Sequence, residues 1–427
     1  MKFIFASLAL FVGFTSSLHA AEDSFSKLKL NAEVGLGYST NPYSLTKFQI
    51  ADRAVADMFA RVRPEIQISA HGRKLQIGLD AYSDMGLMFG LNANPGFLIF
   101  QGNAKGTSVY NQGGVVSFFT NGGLTASRNL GELFVGNLTN LTGKGVLGTT
   151  YRPGAGKLGI TLQGEYLVQG YPGLIYEKTS SVPRSLNNQS YYLSSRLAWQ
   201  FLPKTAAFAD IRYGYFESVD SNDELITLNP LWAGAGVTGR ITNKLVTTLS
   251  AQYSRIFMKD FAQGLPDTSF PMGAKLTLDW NYDTNATINF ALARDMAPTP
   301  IFLDQFSNSL KIKWKQSFNG RWILGLDGQV GFLEYGKPYT TFSVTKFRIR
   351  EDYKNRRDLF TGVALHFSYS FSDWLAAGIS ADAFWRWTNA NVSQILTPAG
   401  WVAADDGSQL NDLFTRYEAN VFVRLTY

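Results

Sequence analysis

The side chains able to do bond-breaking chemistry are few in this sequence. Beyond His19, which lies in an apolar N-terminal segment, the histidines are His71 and His366. Ser368 follows His366 two positions later, and in an extended chain that spacing puts imidazole and hydroxyl on one face, the minimal pairing for hydrolysis by an activated nucleophile. No nucleophile elbow, no glycine-rich phosphate loop opening a helix and no histidine–glutamate metal motif accompanies them. The chain has no cysteine, so it can form neither a disulfide framework nor a thiolate metal site. His71 falls at a tight turn, where it is expected to be solvated. Acidic residues such as Glu65 and Asp80 could in principle exchange a proton, yet they recur as parts of a longer charge pattern. The sequence thus offers no catalytic, cofactor-binding or metal site, and it is not read as an enzyme.

That pattern is strict alternation. Charged and aromatic residues appear at every second position in Arg61, Arg63 and Glu65, in Asp80, Tyr82 and Asp84, in Asp210 and Arg212, and in Lys311, Lys313 and Lys315. Others of the same parity in their segments are Glu165, Tyr192, Arg196, Phe208, Trp232, Asp279, Asp327, His366, Asp382, Phe384, Arg386, Arg416 and Arg424. The intervening positions are apolar. In the first such segment Leu28, Leu30, Ala32, Val34, Leu36 and Tyr38 share one face while Lys27, Lys29, Asn31, Glu33 and Ser39 share the other. The last repeats it, with Tyr417, Ala419, Val421, Val423, Leu425 and Tyr427 opposite Arg416, Glu418, Asn420, Arg424 and Thr426; only Phe422 interrupts the polar side. Period two is the signature of a half-buried strand.

The strands come in pairs. Short turns are expected at Gly72-Arg73, at Pro203-Lys204-Thr205, Thr242-Asn243-Lys244, Asp283-Thr284-Asn285, Asn319-Gly320-Arg321 and Ser372-Asp373-Trp374. Gly72-Arg73 suits a two-residue type II′ hairpin. With that register Arg61 faces Asp84 and Glu65 faces Asp80. A three-residue turn at Asn319 sets Lys313 opposite Asp327, and the same logic at Pro203 sets Arg196 against Arg212, a costly like-charge pair. The remaining connections are long: residues 40–57, 86–109, 170–189, 217–229, 258–271, 295–307, 335–357 and 388–411. Short turns alternating with long loops predict a transmembrane antiparallel up-and-down β-barrel of about 18 strands, with 16 as the alternative because residues 110–157 are soft and glycine-rich. An even count leaves both termini on the periplasmic, short-turn side.

Aromatic residues on the apolar parity fall into two groups. Phe201, Tyr282, Phe318, Trp322, Phe371 and Tyr427 lie near short turns or the C-terminus; Tyr38, Tyr215, Tyr253, Trp385 and Tyr417 lie near long loops. Two belts are what a barrel needs at the two lipid headgroup layers. A soluble sandwich or propeller would alternate too, but would not need an apolar face all the way round.

Met1-Lys2, the apolar run Phe3 to Phe14 and Ser16 to Ala20 read as a signal peptide cut after Ala20, or after Ala21. Residues 21–427 carry one unbroken texture and form a single barrel domain in the cell outer membrane. The formal charge of +6, lowered by one when Lys2 is removed, is too mild to imply nucleic acid. The polar face lines a lumen that either attracts anions slightly or is a mixed-charge lining bracing the wall. Inward Tyr82, Tyr192, Phe208, Trp232 and Phe384 could stack on sugar rings or simply fill space. The apolar segment Gly86 to Ser108 either folds into the mouth and narrows it or extends two strands above the membrane. Lipid is the expected partner, with polysaccharide or small anionic or neutral solutes in the lumen and export machinery on the turns; the oligomeric state is open.

Gly35 to Tyr43, then Phe59-Ala60-Arg61-Val62-Arg63-Pro64-Glu65 and the hairpin from Lys74 to Tyr82 resemble the outer-membrane β-barrel porins encoded beside exopolysaccharide or capsule export genes. The hairpins around Leu202-Pro203-Lys204 and Asn319-Gly320-Arg321 share the likeness, and Tyr110 to Tyr171 depart from it in glycine content. The resemblance implies a large barrel acting as a channel, with exit of a secreted polysaccharide as its extension and a plugged, loop-binding barrel as the alternative. His366-Phe367-Ser368 resembles a fragment of the outer-membrane phospholipase motif, but Tyr369 and Ser370 do not continue it, and parity puts the pair toward the lumen.

Overall fold

A computed structural model describes residues 25–41, 56–90, 96–128, 139–154, 156–170, 187–219, 225–258, 271–299, 304–336, 349–352, 356–389, 391–397, 400–403 and 412–427. The expected signal peptide lies outside them. Every regular element is a strand. The first half of the wall is β1 (Phe25–Ser39), β2 (Asp57–His71), β3 (Leu75–Met88), β4 (Gly96–Tyr110), β5 (Val116–Arg128), β6 (Thr139–Tyr151), β7 (Leu158–Gly170), β8 (Asn188–Leu202) and β9 (Thr205–Val219). The second half is β10 (Leu225–Thr242), β11 (Leu245–Met258), β12 (Met272–Asp283), β13 (Ala286–Ala297), β14 (Gln305–Phe318), β15 (Trp322–Tyr335), β17 (Arg357–Ser370), β18 (Leu375–Thr388) and β21 (Asp412–Thr426). Three short strands, β16 (Ile349–Asp352), β19 (Asn391–Thr397) and β20 (Gly400–Ala403), form a separate sheet that joins the two longest connections to each other.

The wall is an 18-stranded antiparallel sheet in which each strand pairs with its neighbours along the chain, and β21 pairs back onto β1. Closure leaves no edge, so every ladder is satisfied without water, the condition for crossing hydrocarbon. One parity of each strand carries exposed Leu, Val, Ile and aromatic side chains, as in Val34 and Leu36 of β1, Leu193 and Leu197 of β8, and Val421, Val423 and Leu425 of β21. In water, this continuous apolar exterior would be costly; against lipid it is the stable arrangement.

Of the two readings of the apolar segment Gly86 to Ser108, the structure gives the extended strands in place of a long loop. Leu87 and Met88 end β3, and Gly96 to Tyr110 form β4. Leu87 and Phe89 are exposed on the outside, so these two face lipid and not the lumen. Residues 217–229 and 295–307 likewise shorten, because β9, β10, β13 and β14 extend into them.

Register departs from expectation where the turn chemistry differs. Gly72 is not among the left-handed residues; its N–H donates to the Leu75 carbonyl at 2.8 Å, and His71 faces Gln76. This wider loop slides β3 by two residues, which preserves faces but changes partners. Arg61 therefore faces Gly86 and Glu65 faces Tyr82. At Asn319-Gly320 both residues are left-handed (φ 51° and 66°), the geometry of a type I′ turn, and Phe318 faces Trp322. Lys313 accordingly faces Asp327. Between β8 and β9 the turn is only Pro203-Lys204, and a bulge at Phe201 moves the register so that Arg196 faces Asp210 and Arg212 faces Ser194. The like-charge pair does not form.

Inward aromatic rings sit directly across from glycine. Phe59 faces Gly37, Phe119 faces Gly148, Tyr192 faces Gly214, Phe208 faces Gly236, Phe360 faces Gly331 and Phe422 faces Gly378. A Cβ on Gly148 would stand 2.3 Å from the Phe119 ring, and one on Gly214 would stand 2.2 Å from Tyr192. Each ring therefore lies against the neighbouring strand and not across the lumen, which explains both the glycine alternation and the lone apolar Phe422 on a polar face.

Candidate functional site

The lumen is the candidate site, and it divides by height. Inward positions hold Arg61, Arg63, Glu65, Asp80, Tyr82, Arg196, Arg212, Trp232, Lys311, Lys313, Lys315, Asp327, His366, Asp382, Arg386, Arg416 and Arg424, the parity opposite the exposed apolar face. On the outward parity, Tyr38, Phe201, Tyr215, Tyr253, Phe318, Trp322, Phe371, Tyr417 and Tyr427 are exposed, while Tyr282 and Trp385 are half-buried. Trp199, Trp280 and Trp374 are also exposed there, all close to short turns.

Toward the long loops, most inward arginines are paired, while Lys275 and Asp295 form no ion pair among the described residues. The Arg61 guanidinium bonds Asp84 diagonally, with Nε donating to Oδ1 at 2.7 Å. Arg416 reaches Asp382 at 3.1 Å and Glu418 at 3.7 Å, and Ser39 donates to Glu418. Around the wall, Glu165 receives both Lys144 at 3.0 Å and Arg212 at 3.1 Å, while Arg196 grips Asp210 through two bonds. Arg212 also lies 3.8 Å from the Tyr192 ring centre and 5.0 Å from that of Trp232; Arg196 lies 4.6 Å from Phe208. Tyr192 and Phe208 are thus engaged by a glycine and a guanidinium, and these contacts favour a wall-bracing role for them.

The tightest knot lies at the loop end of β15, β17 and β18. Asp358 accepts from Arg356 (2.9 and 2.5 Å) and Arg386 (3.2 and 2.5 Å), and Arg386 also donates to the Tyr335 hydroxyl at 3.0 Å. The Asp358 and Arg356 side chains are wholly buried. Sequence reasoning named Arg386 but missed its partners, since Tyr335 and Arg356 fell in an expected loop. Asp358 kept the parity of His366 and could have been found from it.

The loop-side mouth is narrowed by a hairpin that no local pattern marked. β12 pairs with β13 only as far as Arg294, so the upper end of β13 is held by β14 alone. There Met296 and Phe306, which share the outward parity of Leu292 and Ile312, are 5% and 2% exposed and pack with Phe216, Leu228 and Ile256 from the inner face of β9, β10 and β11. The Trp232 indole N–H donates to the Met296 carbonyl at 3.4 Å. The top of the β13–β14 hairpin therefore leans inward over the mouth onto the inner surface of β9–β11, its near neighbours in the wall. It leaves a cavity of about 610 Å³ lined by Gln163, Arg196, Asp210, Arg212, Trp232, Gln252 and Asp295. On the hairpin's other contacts, Arg294 pairs with Glu334 at 2.5 Å and lies 4.4 Å from the Phe306 ring centre. Asp304, just before β14, is 1% exposed and its carboxylate oxygens accept no hydrogen bond. Burial pushes its carboxyl up to about 6 against the opposing pull of Arg294.

The turn-side half is different. The short connections carry Arg73, Lys74, Arg152, Lys157, Lys204, Lys244 and Arg321 against Asp373, with Asp283 at the end of β12 beside them. Inward Lys27 and Lys29 of β1 and Lys315 of β14 are exposed or half-buried, and no described residue forms an ion pair with them. A recess of about 330 Å³ opens there, lined by Asn289, Lys313, Lys315, Asp327, His366 and Arg424. Lys313 is 3.7 Å from Asp327 and Arg424 is 2.7 Å from Glu33. The His366 ring stacks on Phe422 at 5.2 Å, an arrangement that fixes the imidazole against the wall. Among the described residues no group of three His, Cys, Asp or Glu could hold a metal.

No family model matches the sequence, and no curated protein does. Among solved structures, the chain is similar to the FrpB iron transporter from Neisseria meningitidis (F5-1 variant; 8% identity, 93% of this chain and 81% of that one, TM-score 0.46). It is also similar to Acinetobacter baumannii OccAB2 (12% identity, 95% and 98%, TM-score 0.42) and to the siderophore receptor PirA from Acinetobacter baumannii (9% identity, 93% and 80%, TM-score 0.40). At these levels the likenesses carry no functional argument, and the reading below rests on the geometry.

Proposed function

We propose that this protein is an outer-membrane channel whose loop-side mouth is narrowed by the inward-leaning β13–β14 hairpin. The observation that carries it is a closed 18-stranded wall, apolar outside and charged inside, a size at which side chains no longer fill the interior. The aromatic rings folded flat on glycines keep the lumen clear, and the paired charges hydrate and brace it. Solutes pass in water, so no catalytic group takes part, and His366 serves as wall.

The experiment is conductance of the purified barrel in planar bilayers. Discrete current steps are expected; silence from correctly folded barrels, persisting after the hairpin is loosened, overturns the reading. The resemblance in β1 to β3 extends it to exit of a secreted polysaccharide, supplied by export machinery docking on turns such as Lys204 or Arg321. Deletion of the gene should then abolish surface polymer. The alternative is a barrel that binds a partner through residues 335–357 and 388–411, and it draws support from the buried Asp358 knot and the sheet joining those two connections. It predicts that trimming them abolishes partner binding and leaves permeability unchanged.

A further inference from the structure

The turn-side mouth carries an excess of positive charge among the described residues. Besides Arg73, six cations stand on the short connections against Asp373 and, at the end of β12, Asp283, and inside them Lys27, Lys29 and Lys315 face the lumen without ion-pair partners among the described residues, whereas most arginines higher up hold a carboxylate. Unpaired cations at the rim of a low-dielectric wall raise the local concentration of anions, an effect screened by salt over about 10 Å at 0.1 M. The recess at Lys315 is lined by Lys313, Arg424, Asn289 and Asp327; Lys313, Arg424 and Asn289 are held by Asp327, Glu33 and Asp279, so Lys315 is the lining cation left to meet one carboxylate, phosphate or sulfate group.

Resting on the channel reading, we infer that the turn-side mouth is a binding collar for a flexible polyanion that enters the lumen from that side, with the Lys315 recess seating one of its anionic groups. The cations are spread around the ring and continue inward, so a single small ion meets only a few of them. A threaded chain engages them together, and its affinity multiplies accordingly. A compact acidic protein could reach the turns but not Lys29 or Lys315, which lie inside the barrel on β1 and β14.

The test adds polygalacturonate, inorganic polyphosphate or neutral dextran to either side of full-length barrels of known orientation in planar bilayers. Both polyanions should block from the turn side at concentrations about tenfold or more below those needed from the loop side, and raising KCl from about 0.1 to 1 M should relieve the block. Block by only one polyanion would assign the source as carboxylate or phosphate. The triple substitution Lys27→Gln, Lys29→Gln, Lys315→Gln should raise the blocking concentration about tenfold, and Arg357→Gln at the loop end should leave it as in the parent. Equal block from both sides, equal block by dextran, or indifference to the triple substitution overturns the inference. So does binding of a compact acidic protein to barrels that polyanions neither bind nor block. If the barrel passes no current, the channel reading falls by itself. Calorimetric binding of polygalacturonate to the detergent-solubilised barrel, present in the parent and lost in the triple variant, still decides the collar.

Discussion

The two ends of this barrel treat charge in opposite ways. At the loop end, arginines are buried against carboxylates and a hairpin leans over the opening; at the turn end, Lys27, Lys29 and Lys315 stand exposed without an ion pair among the described residues. The loop end is built like a protein core, where a charge persists only if paired. The turn end is built like a solvated surface, where a charge costs little and its field extends into the lumen. A single sheet thus combines a rigid, narrowed mouth with an open, electropositive one, and the difference lies in side chains added to an almost uniform ladder.

The sharpest way to break the comparison is Asp358→Ala. It leaves Arg356 and Arg386 buried without their shared carboxylate, and a loss of about 3–5 kcal/mol is expected, read as a lower urea midpoint in lipid vesicles. A neutral effect would mean that the loop end is not core-like. Phe306→Ala comes next: removing a ring 2% exposed at the contact with Phe216 and Ile256 should cost about 3 kcal/mol. It should also raise single-channel conductance by releasing the hairpin.

Asp304 gives a smaller, pH-dependent effect. Its carboxyl is raised from 3.8 to about 6, so the native packing prefers the protonated acid. Stability is greatest below the unfolded value near 4, is lost as pH rises toward 6, and stays lower above it. The difference is on the order of 1–3 kcal/mol. Hydrogen-exchange protection factors across β13 and β14, with the intrinsic pH dependence divided out, should therefore rise as pH falls from 7 to 5, and Asp304→Asn should remove that rise. Smallest in stability is Lys315→Gln, expected within about 0.5 kcal/mol of the parent, yet it should reduce chloride preference measurably in a salt gradient. If Lys315→Gln destabilised the barrel as much as Asp358→Ala, the two ends would not differ as described.

The closed wall was legible because period two survives along nearly every strand, and a face error would have put Arg61, Lys313 or Arg424 into lipid. Register was less legible, since it depends on turn geometry that residue type alone underdetermines. Gly72 adopts an ordinary φ and widens its loop, and one bulge at Phe201 converts an expected Arg196–Arg212 clash into an Arg196–Asp210 pair. Lys313 and Asp327 were placed correctly because Asn319-Gly320 demands a left-handed turn. The inward lean of Met296 and Phe306 was invisible: both keep the outward parity, and only the early end of β12, a long-range property, tells where that face packs. The buried partners of Arg386 were hidden for a related reason, lying where a loop was expected to begin.

On the proposed channel reading, water and ions cross this barrel through a lumen biased by the cations at its turn end. Single-channel recording of the full-length barrel across a tenfold KCl gradient tests it most directly. Current steps whose reversal potential has the sign of chloride preference are predicted; folded barrels that stay silent, or a reversal potential with the sign of potassium preference, would contradict it.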